Sequence, residues 1–364
     1  MNNSRVLFVS GRETEYPRNK QLISLLSKTH TVSVLTGQGP SLLRRTFQSI
    51  RSLLSAGGKC EAIYVGFYGY LILPFARLRF PATRIVFDAF LSTYDTLQSD
   101  SSKLRQLPRG LSDACCFLHR RTPLILWMGW LIDYIGLHLA SEVLIDTQAQ
   151  KRYLSRTFGI KPEKITVLYL SVDKKLFSPA FTQGAGPSQS PLCPSRRGAA
   201  GEGAASGKFT VLYYASFLPL HGVDVILKAA ERLKDCADIR FVFFGDGPQR
   251  RDTERTVEQN ALTNVTFREP VPLEKLPGII AQADLCLAGH FSDIPKAGRV
   301  IAAKTIQMLS MCKPTVITET EANKELVHFA EWPDWEGRCI WVMPHDPAGL
   351  AEAIHKAYKT QRQS

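Results

Sequence analysis

A cation and an amide recur one helical turn apart between Lys296 and Ile317, in the run KAGRVIAAKTIQMLSMCKPTVI. Lys304, Gln307 and Met311 fall at i, i+3, i+7, one stripe of an α-helix. Ile301, Thr305, Met308, Leu309 and Cys312 fall at i, i+4, i+7, i+8, i+11, a neighbouring stripe that can pack on a core. Arg299 stands just ahead of this helix. Backbone N–H groups in a first helical turn lack intrahelical partners and attract anions. The combination predicts a site for a phosphate-bearing ligand.

Other residues of the right type stand just after predicted strands. Gly245, Asp246, Gly247 and Pro248 form a GDGP run between a strand and a helix. Glycines there let the backbone approach a ligand closely, although a plain Gly-Pro turn reads equally well. Ser216 and His221 follow the strand Thr210–Tyr214 and can reach a phosphate or hydroxyl, although capping the next helix is the plainer role for a lone histidine such as His221. Asp88 ends the strand Arg84–Phe87, with Ser92, Tyr94 and Asp95 on the loop beyond it. Capping the following turn is the plainer role for Asp88. Arg18 and Asn19 follow the first strand, at the start of a helix. Glu325 lies in ANKELV, where a first-turn carboxylate would favour the helix dipole.

The elements that must position these residues alternate strand and helix. Arg5–Ser10, Thr31–Leu35, Ala62–Val65, Arg84–Phe87 and Glu142–Ile145 read as strands in the first half. Thr210–Tyr214, Arg240–Phe244, Asn264–Phe267, Leu285–Ala288, Thr315–Thr318 and Cys339–Val342 do so in the second, with helices over Val223–Leu233 and Leu276–Ala283. Such alternation implies parallel sheets covered by helices on both faces. The expected class is α/β: two Rossmann-like domains facing each other across a cleft. Ligands of open parallel sheets sit at the C-terminal ends of the strands. Between 183 and 208 the pattern stops in a Gly-, Ala-, Ser- and Pro-rich run, a flexible linker or insert. The expected organisation is therefore residues 1–182, the linker 183–208, a second domain 209–346, and a terminal helix and tail 347–364.

A length of 364 residues suits two domains. The 45 Lys and Arg against 33 Asp and Glu give a net charge of +12. That balance suits a phosphorylated ligand or an anionic membrane surface; no DNA- or RNA-binding motif is present, so nucleic acid is not expected. Eight cysteines occur without a CxxC pair or metal-ligand spacing, which fits a reducing, cytoplasmic compartment. The N-terminus runs straight into a strand and lacks the layout of a signal peptide.

Two segments read as membrane-seeking or as ordinary packed helices. Pro123–Ala140 is apolar but short, and Asp133 and His138 interrupt it, which favours a buried or interfacial helix over a span. Over Leu42–Leu54, Leu43, Phe47, Ile50 and Leu54 share a face bordered by Arg44, Arg45 and Arg51. Such a helix can lie on anionic lipid or pack on its own sheet. His119-Arg120-Arg121 forms a second basic junction ahead of the apolar stretch.

In order along the chain, HG before a helix, GDGP, NVTF, AD after a helix and KxxQxxxxxKPxVI resemble the C-terminal half of retaining GT-B glycosyltransferases, the group-1 family also called family four. VGFYG (Val65–Gly69), FDAFLSTYDTL (Phe87–Leu97), LIDTQAQ (Leu144–Gln150) and SVDKKLFSP (Ser171–Pro179) resemble one branch of that family. The likeness covers most of the chain apart from 183–208. It implies transfer of a sugar from a nucleotide-sugar donor to a glycan or lipid-linked acceptor, with retention and without a metal or other cofactor. It places the donor diphosphate at Arg299–Lys304 and the donor against Ser216, His221, Gly245, Asp246, Gly247, Gln307 and Glu325, the last near the ribose. Asp88, Lys304 and Gln307 become the catalytic candidates. Asp88 would orient the acceptor, with Arg18, Asn19, Ser92, Tyr94 and Asp95 on the acceptor side.

The chain departs from that family at several points. Gln307 replaces the second acid of an Ex7E pair and Arg299 stands eight residues earlier, so neither carboxylate is present. Ala215-Ser216 replaces a GR pair, His221 replaces the lysine of KG, and Cys312 replaces a glycine before KP. A non-catalytic nucleotide-sugar binder and a GT-B epimerase are the alternative functions. The expected location is the cytoplasm, with contact to the inner face of the membrane if the basic helix binds lipid.

Overall fold

The computed structural model describes residues 4–39, 41–104, 113–179, 207–328 and 335–363. The linker 183–206 and the side chains of His119-Arg120-Arg121 lie outside what is described. The chain divides into two compact units, Met1–Leu170 and Ser171–Ser364.

The N-terminal unit runs β1 (Arg5–Val9), α1 (Pro17–Leu26), β2 (Thr31–Val34), α2 (Leu42–Ser55), β3 (Ala62–Val65), α3 (Leu73–Arg79), β4 (Arg84–Asp88), α4 (Thr93–Leu104), α5 (Asp113–Leu139), β5 (Glu142–Ile145), α6 (Gln148–Phe158) and β6 (Ile165–Val167). The six strands pair in parallel in the order β2-β1-β3-β4-β5-β6. Strand residues buried on both faces, such as Val6–Val9 and Ile85–Phe87, explain the near-continuous apolar runs. Leu53, Leu73, Ala76, Leu137, Leu154 and Phe158 bring α2, α3, α5 and α6 onto one face of the sheet. Leu22 and Leu26 of α1 pack with Phe8, Val86 and Leu144 in a separate cluster.

The apolar stretch around Pro123 belongs to α5, and no helix among the described residues is long and apolar enough to cross a membrane. Asp133 has a structural task in that helix. Its carboxylate accepts from Ser92 Oγ (2.6 Å) and from the N–H groups of Thr93 (3.1 Å) and Tyr94 (2.9 Å). It thus satisfies orphan donors at the start of α4, where Ser92 also accepts from Asp95 N–H. Burial raises the Asp133 pKa above the ordinary value, against those hydrogen bonds, which lower it.

The C-terminal unit runs β7 (Phe209–Tyr214), α7 (Val223–Arg232), β8 (Ile239–Phe244), α8 (Arg250–Gln259), β9 (Val265–Arg268), α9 (Leu276–Ala281), β10 (Leu285–Leu287), α10 (Ala303–Ser310), β11 (Thr315–Thr318), β12 (Cys339–Val342) and α11 (Pro347–Gln363). Its parallel sheet has the order β12-β11-β10-β7-β8-β9. α11 closes this unit: Leu350 and Ile354 join its core, and Tyr358 Oη donates to Asp238 at 2.9 Å. The helix expected around Lys304 is short. Ile301 precedes it, and Cys312 follows it with φ +58°, in the left-handed region that glycine occupies without cost. The backbone conformation that suits a glycine is thus kept although the residue is a cysteine.

Candidate functional site

The order β12-β11-β10-β7-β8-β9 reverses direction between β7 and β10, and the crevice beyond the C-terminal ends of two such strands is where open α/β sheets bind ligands. His221 follows β7, His290 follows β10, and Lys304 begins the helix after β10. The two imidazoles stack with centroids 5.4 Å apart. Phe291 N–H donates to the His221 carbonyl (3.1 Å), fastening one loop to the other. Behind them Thr318 Oγ1 donates to the His290 carbonyl (3.0 Å), and Asn323 Nδ2 donates to the Thr318 carbonyl (2.9 Å). His290 is thus held by the end of β11.

Lys304 is only 7 % exposed, and its Nζ has no hydrogen-bond partner. It stands 4.1 Å from the centroid of the buried Tyr213 ring, a cation–π contact. Among the described residues no carboxylate pairs with it. Burial pulls its pKa down to about 7. Burial, then the Lys304 charge, then His290 push His221 down to about 2. Burial, Lys304 and Lys296 push His290 down to about 3. Both imidazoles are therefore neutral at ordinary pH, and both Nδ1 atoms are buried without a hydrogen-bond partner. The crevice holds one lysine poised to charge and two neutral rings able to donate or accept. A buried ammonium with no counter-charge is costly, and an anionic ligand would relieve it.

Gln307 lies one turn along α10 and accepts from Tyr214 Oη at 2.8 Å, which fixes its amide beside the end of β7. Arg299 follows the short 3-10 turn Pro295–Gly298 that also carries the buried Lys296. Glu325 is buried in a 3-10 turn, Asn323–His328, rather than in an α-helical first turn. Ala322 N–H donates to the Gly298 carbonyl (3.1 Å), bringing that turn against the Arg299 segment. Ser216 and Asp246 are exposed at the ends of β7 and β8, and Asp246 accepts from Gly247 N–H at 2.7 Å.

The GDGP glycines have a reason other than close approach to a ligand. Gly245 and Gly247 have φ +123° and +147°, and a side chain on either would collide with the carbonyl oxygen of Ala215 or Ser216. They let the β8 loop nest against the β7 loop. Arg250 secures this arrangement through the Gly245 carbonyl and the Arg268 carbonyl (3.1 Å), under Phe267 (4.7 Å).

The acceptor-side candidates of the N-terminal unit are mostly engaged within it. Arg18 and Asp88 form a fully buried ion pair, with Arg18 Nη2 3.0 Å from Oδ1 and Nε 3.1 Å from Oδ2. Arg18 Nη1 also donates to the Leu168 carbonyl (2.6 Å). Asp88 is thus not a free carboxylate at a strand end. Burial raises its pKa, against the opposing pull of Arg18. Asn19 donates to the Glu13 carbonyl (2.9 Å) and accepts from Phe67 N–H (3.1 Å), lacing the loops after β1 and β3 together. Ser92 and Asp95 are buried at the start of α4, and Tyr94 packs its ring edge-on near Phe158, 6.3 Å away.

Sequence reasoning missed His290, Tyr213 and Tyr214. His290 stood two residues beyond the predicted strand Leu285–Ala288, where a strand-end search applied to every strand would have found it. Tyr213 and Tyr214 read as strand filler, and only the fold shows that they meet α10.

Both units are parallel-sheet, Rossmann-like α/β units, and together they have the GT-B fold. Solved structures align over nearly the whole chain. Anabaena HepE in complex with UDP is 15 % identical, with TM-score 0.61, covering 99 % of this chain and 91 % of that one. Sucrose-phosphate synthase from Thermosynechococcus elongatus is 13 % identical, with TM-score 0.64, covering 98 % and 90 %. A UDP-forming α,α-trehalose-phosphate synthase from Burkholderia vietnamiensis is 14 % identical, with TM-score 0.63, covering 98 % and 91 %. No curated protein sequence matches the chain. Residues 208–360, nearly all of the C-terminal unit's sheet and helices, match the family described as glycosyl transferases group 1.

Proposed function

We propose that the protein is a glycosyltransferase that takes a sugar from a nucleotide-sugar donor, with the donor diphosphate in the β7–β10 crevice. The observation that carries this reading is the buried Lys304 ammonium without a partner, flanked by two neutral imidazoles. The family match over the same residues and the UDP bound to HepE support a diphosphate, and a uridine diphosphate in particular.

In this reading Lys304 and Arg299 meet the charge that builds on the diphosphate as the sugar leaves. Such preorganised charge acts in the transition state, without a metal. His221 and His290 donate N–H bonds to phosphate or sugar oxygens. Gln307, held by Tyr214, hydrogen-bonds the donor, and Glu325 takes the ribose hydroxyls. Ser216, Asp246 and the backbone at Gly245 and Gly247 line the edge of the crevice. The bond from the anomeric carbon to phosphate breaks and a bond to the acceptor oxygen forms on the same face. The acceptor proton passes to the departing phosphate oxygen, which gives retention without a strong protein base. The N-terminal unit takes the acceptor, a glycan or lipid-linked glycan. The exposed Tyr68 ring, 4.5 Å from Phe67, suits the apolar face of a sugar. The Arg18–Asp88 pair holds this unit's strand ends in place.

Thermal shift with UDP, GDP and ADP tests the donor site. One nucleotide should stabilise the protein by about 2.7 kcal/mol at a hundredfold excess over Kd, and Lys304→Ala should abolish the shift. A shift retained in Lys304→Ala sinks the assignment. Binding without transfer from any sugar nucleotide would leave a non-catalytic binder, and epimerised donor would indicate an epimerase.

A further inference from the structure

The face of the N-terminal unit carrying α2, α3 and α5 exposes more apolar surface than its own core needs. On α2, Thr46, Ser49 and Leu53 are buried against the unit, while Leu43 and Phe47 are 73 % and 69 % exposed and Leu54 lies on the same stripe. At 100° per residue this stripe is a separate one beside the packed face, and Arg44 and Arg51 form the next stripe outward. Leu71, just ahead of α3, and Phe75 and Leu78 on it are likewise exposed, Leu78 by 77 %. Between these helices runs an apolar groove of about 470 Å³, lined by Leu43, Phe47, Ile50, Leu71, Pro74 and Phe75. α5 packs beside α3, where Arg77 Nη2 donates to the Leu139 carbonyl (2.9 Å), and it exposes Leu124, Trp127, Met128 and Ile135. Three helices on one side of the sheet thus each expose large apolar side chains, and those of α2 and α3 meet in one groove. Grouped exposed apolar surface of this kind marks an interaction site.

The charge around this surface selects what covers it. α2 contributes Arg44, Arg45 and Arg51 and α3 contributes Arg77 and Arg79, and neither helix has an acidic residue. A second copy of the chain would bring the same arginines face to face. Arg45 pairs with Glu13 (3.4 Å), and Arg77 and Arg79 are held by backbone carbonyls. That leaves the exposed Arg44 and Arg51 beside the apolar stripe of α2. An apolar stripe flanked by free cations matches the surface of a bilayer with anionic headgroups.

We propose that the α2–α3–α5 face of the N-terminal unit is a docking surface for anionic lipid bilayer, with the α2–α3 groove receiving a lipid acyl chain. The exposed stripes enter the headgroup boundary while Arg44 and Arg51 meet lipid phosphates. The proposal does not depend on the donor site, which lies in the other unit.

Co-sedimentation of the full chain with vesicles tests it, using phosphatidylcholine alone and equal parts phosphatidylcholine and phosphatidylglycerol. Binding to the mixed vesicles at low salt, weak on phosphatidylcholine and falling as salt rises, is expected. Arg44→Gln and Arg51→Gln should each lower the partition constant about fivefold, and Leu43→Glu with Phe47→Glu should abolish binding. Trp127 fluorescence should shift to the blue on the mixed vesicles, and the shift should vanish in Trp127→Phe. All these positions are exposed, so the nucleotide thermal shift should survive in each variant and report an intact fold. No binding at low salt, equal binding to neutral vesicles, or binding untouched by Leu43→Glu with Phe47→Glu overturns the proposal. So does a lipid-free dimer that these substitutions convert to monomer.

Discussion

Arg18 and Lys304 are both buried cations near the C-terminal ends of parallel strands, one in each unit. Arg18 is matched from every side: Asp88 takes Nε and Nη2, the Leu168 carbonyl takes Nη1, and the Phe90 ring lies 5.5 Å away. Lys304 has the Tyr213 ring and no hydrogen bond. The strand order reverses in both units, between β1 and β3 in one and between β7 and β10 in the other. In the first, Asn19 laces the flanking loops together. In the second, two neutral imidazoles line the crevice with unmatched nitrogens. Internal pairing makes the first cluster part of the scaffold, and the missing partner is what supports the proposal of a ligand at the second.

The largest effect that could break this comparison is on the paired side. Arg18→Met leaves the Asp88 carboxylate buried and alone, and it should destabilise the protein by about 3–5 kcal/mol in urea unfolding. A change within 1 kcal/mol or so would mean that water reaches Asp88 and that the pair is not structural. The substitution should not alter nucleotide affinity of the folded protein, because the two clusters lie in different units.

Lys304→Met should act in the opposite direction. It removes a charge that folding buries without a partner, at the loss of one cation–π contact, so the ligand-free protein should gain on the order of 1–3 kcal/mol. The sign follows from the lowered pKa. The unfolded lysine binds its proton up to about pH 10.4, whereas the folded one releases it above about 7. The penalty is therefore full below pH 7 and fades as pH rises toward the unfolded value. The gain from Lys304→Met should shrink over that window. A destabilised variant at pH 6, by the same unfolding assay, would show that Lys304 already has a partner.

Much of this contrast was legible in the sequence, and the unread part has physical causes. Strand ends and the basic helix start followed from periodicity, so Lys304, His221 and Gln307 were found in their correct elements. Whether a charge is paired was not legible, because Arg18 and Asp88 are seventy residues apart and the pairing depends on parallel register. His290 stands at a strand end that the sequence shows, but its stacking on His221 comes from β10 lying beside β7, an adjacency between strands far apart in sequence. The GDGP glycines left two readings open, because their pattern is shared by loops that touch a ligand and loops that touch each other, and the structure adds the second without testing the first. α2 read as either packed or lipid-facing, and the structure shows a packed stripe and an exposed apolar stripe side by side.

The smallest effect is the most discriminating, because it asks whether the crevice binds its ligand through Lys304 charge. If the ligand is a diphosphate, binding should fix a proton on Lys304, since the ammonium attracts the anion far more strongly than the neutral amine. Below about pH 7 the free protein already carries that proton, so affinity should be flat there, apart from the titration of the phosphate itself. Above it each pH unit should weaken binding by up to about tenfold, or 1.4 kcal/mol. The weakening ends at the raised pKa of the complex. His221 and His290 add no slope in this range, because burial and the neighbouring lysine hold both neutral. Calorimetry in buffers of different ionisation enthalpy should register uptake of up to one proton on binding near pH 8. A pH-independent affinity in the native protein between 7 and 9 would place the bound anion elsewhere, and the two buried cations would then differ in their surroundings but not in their purpose.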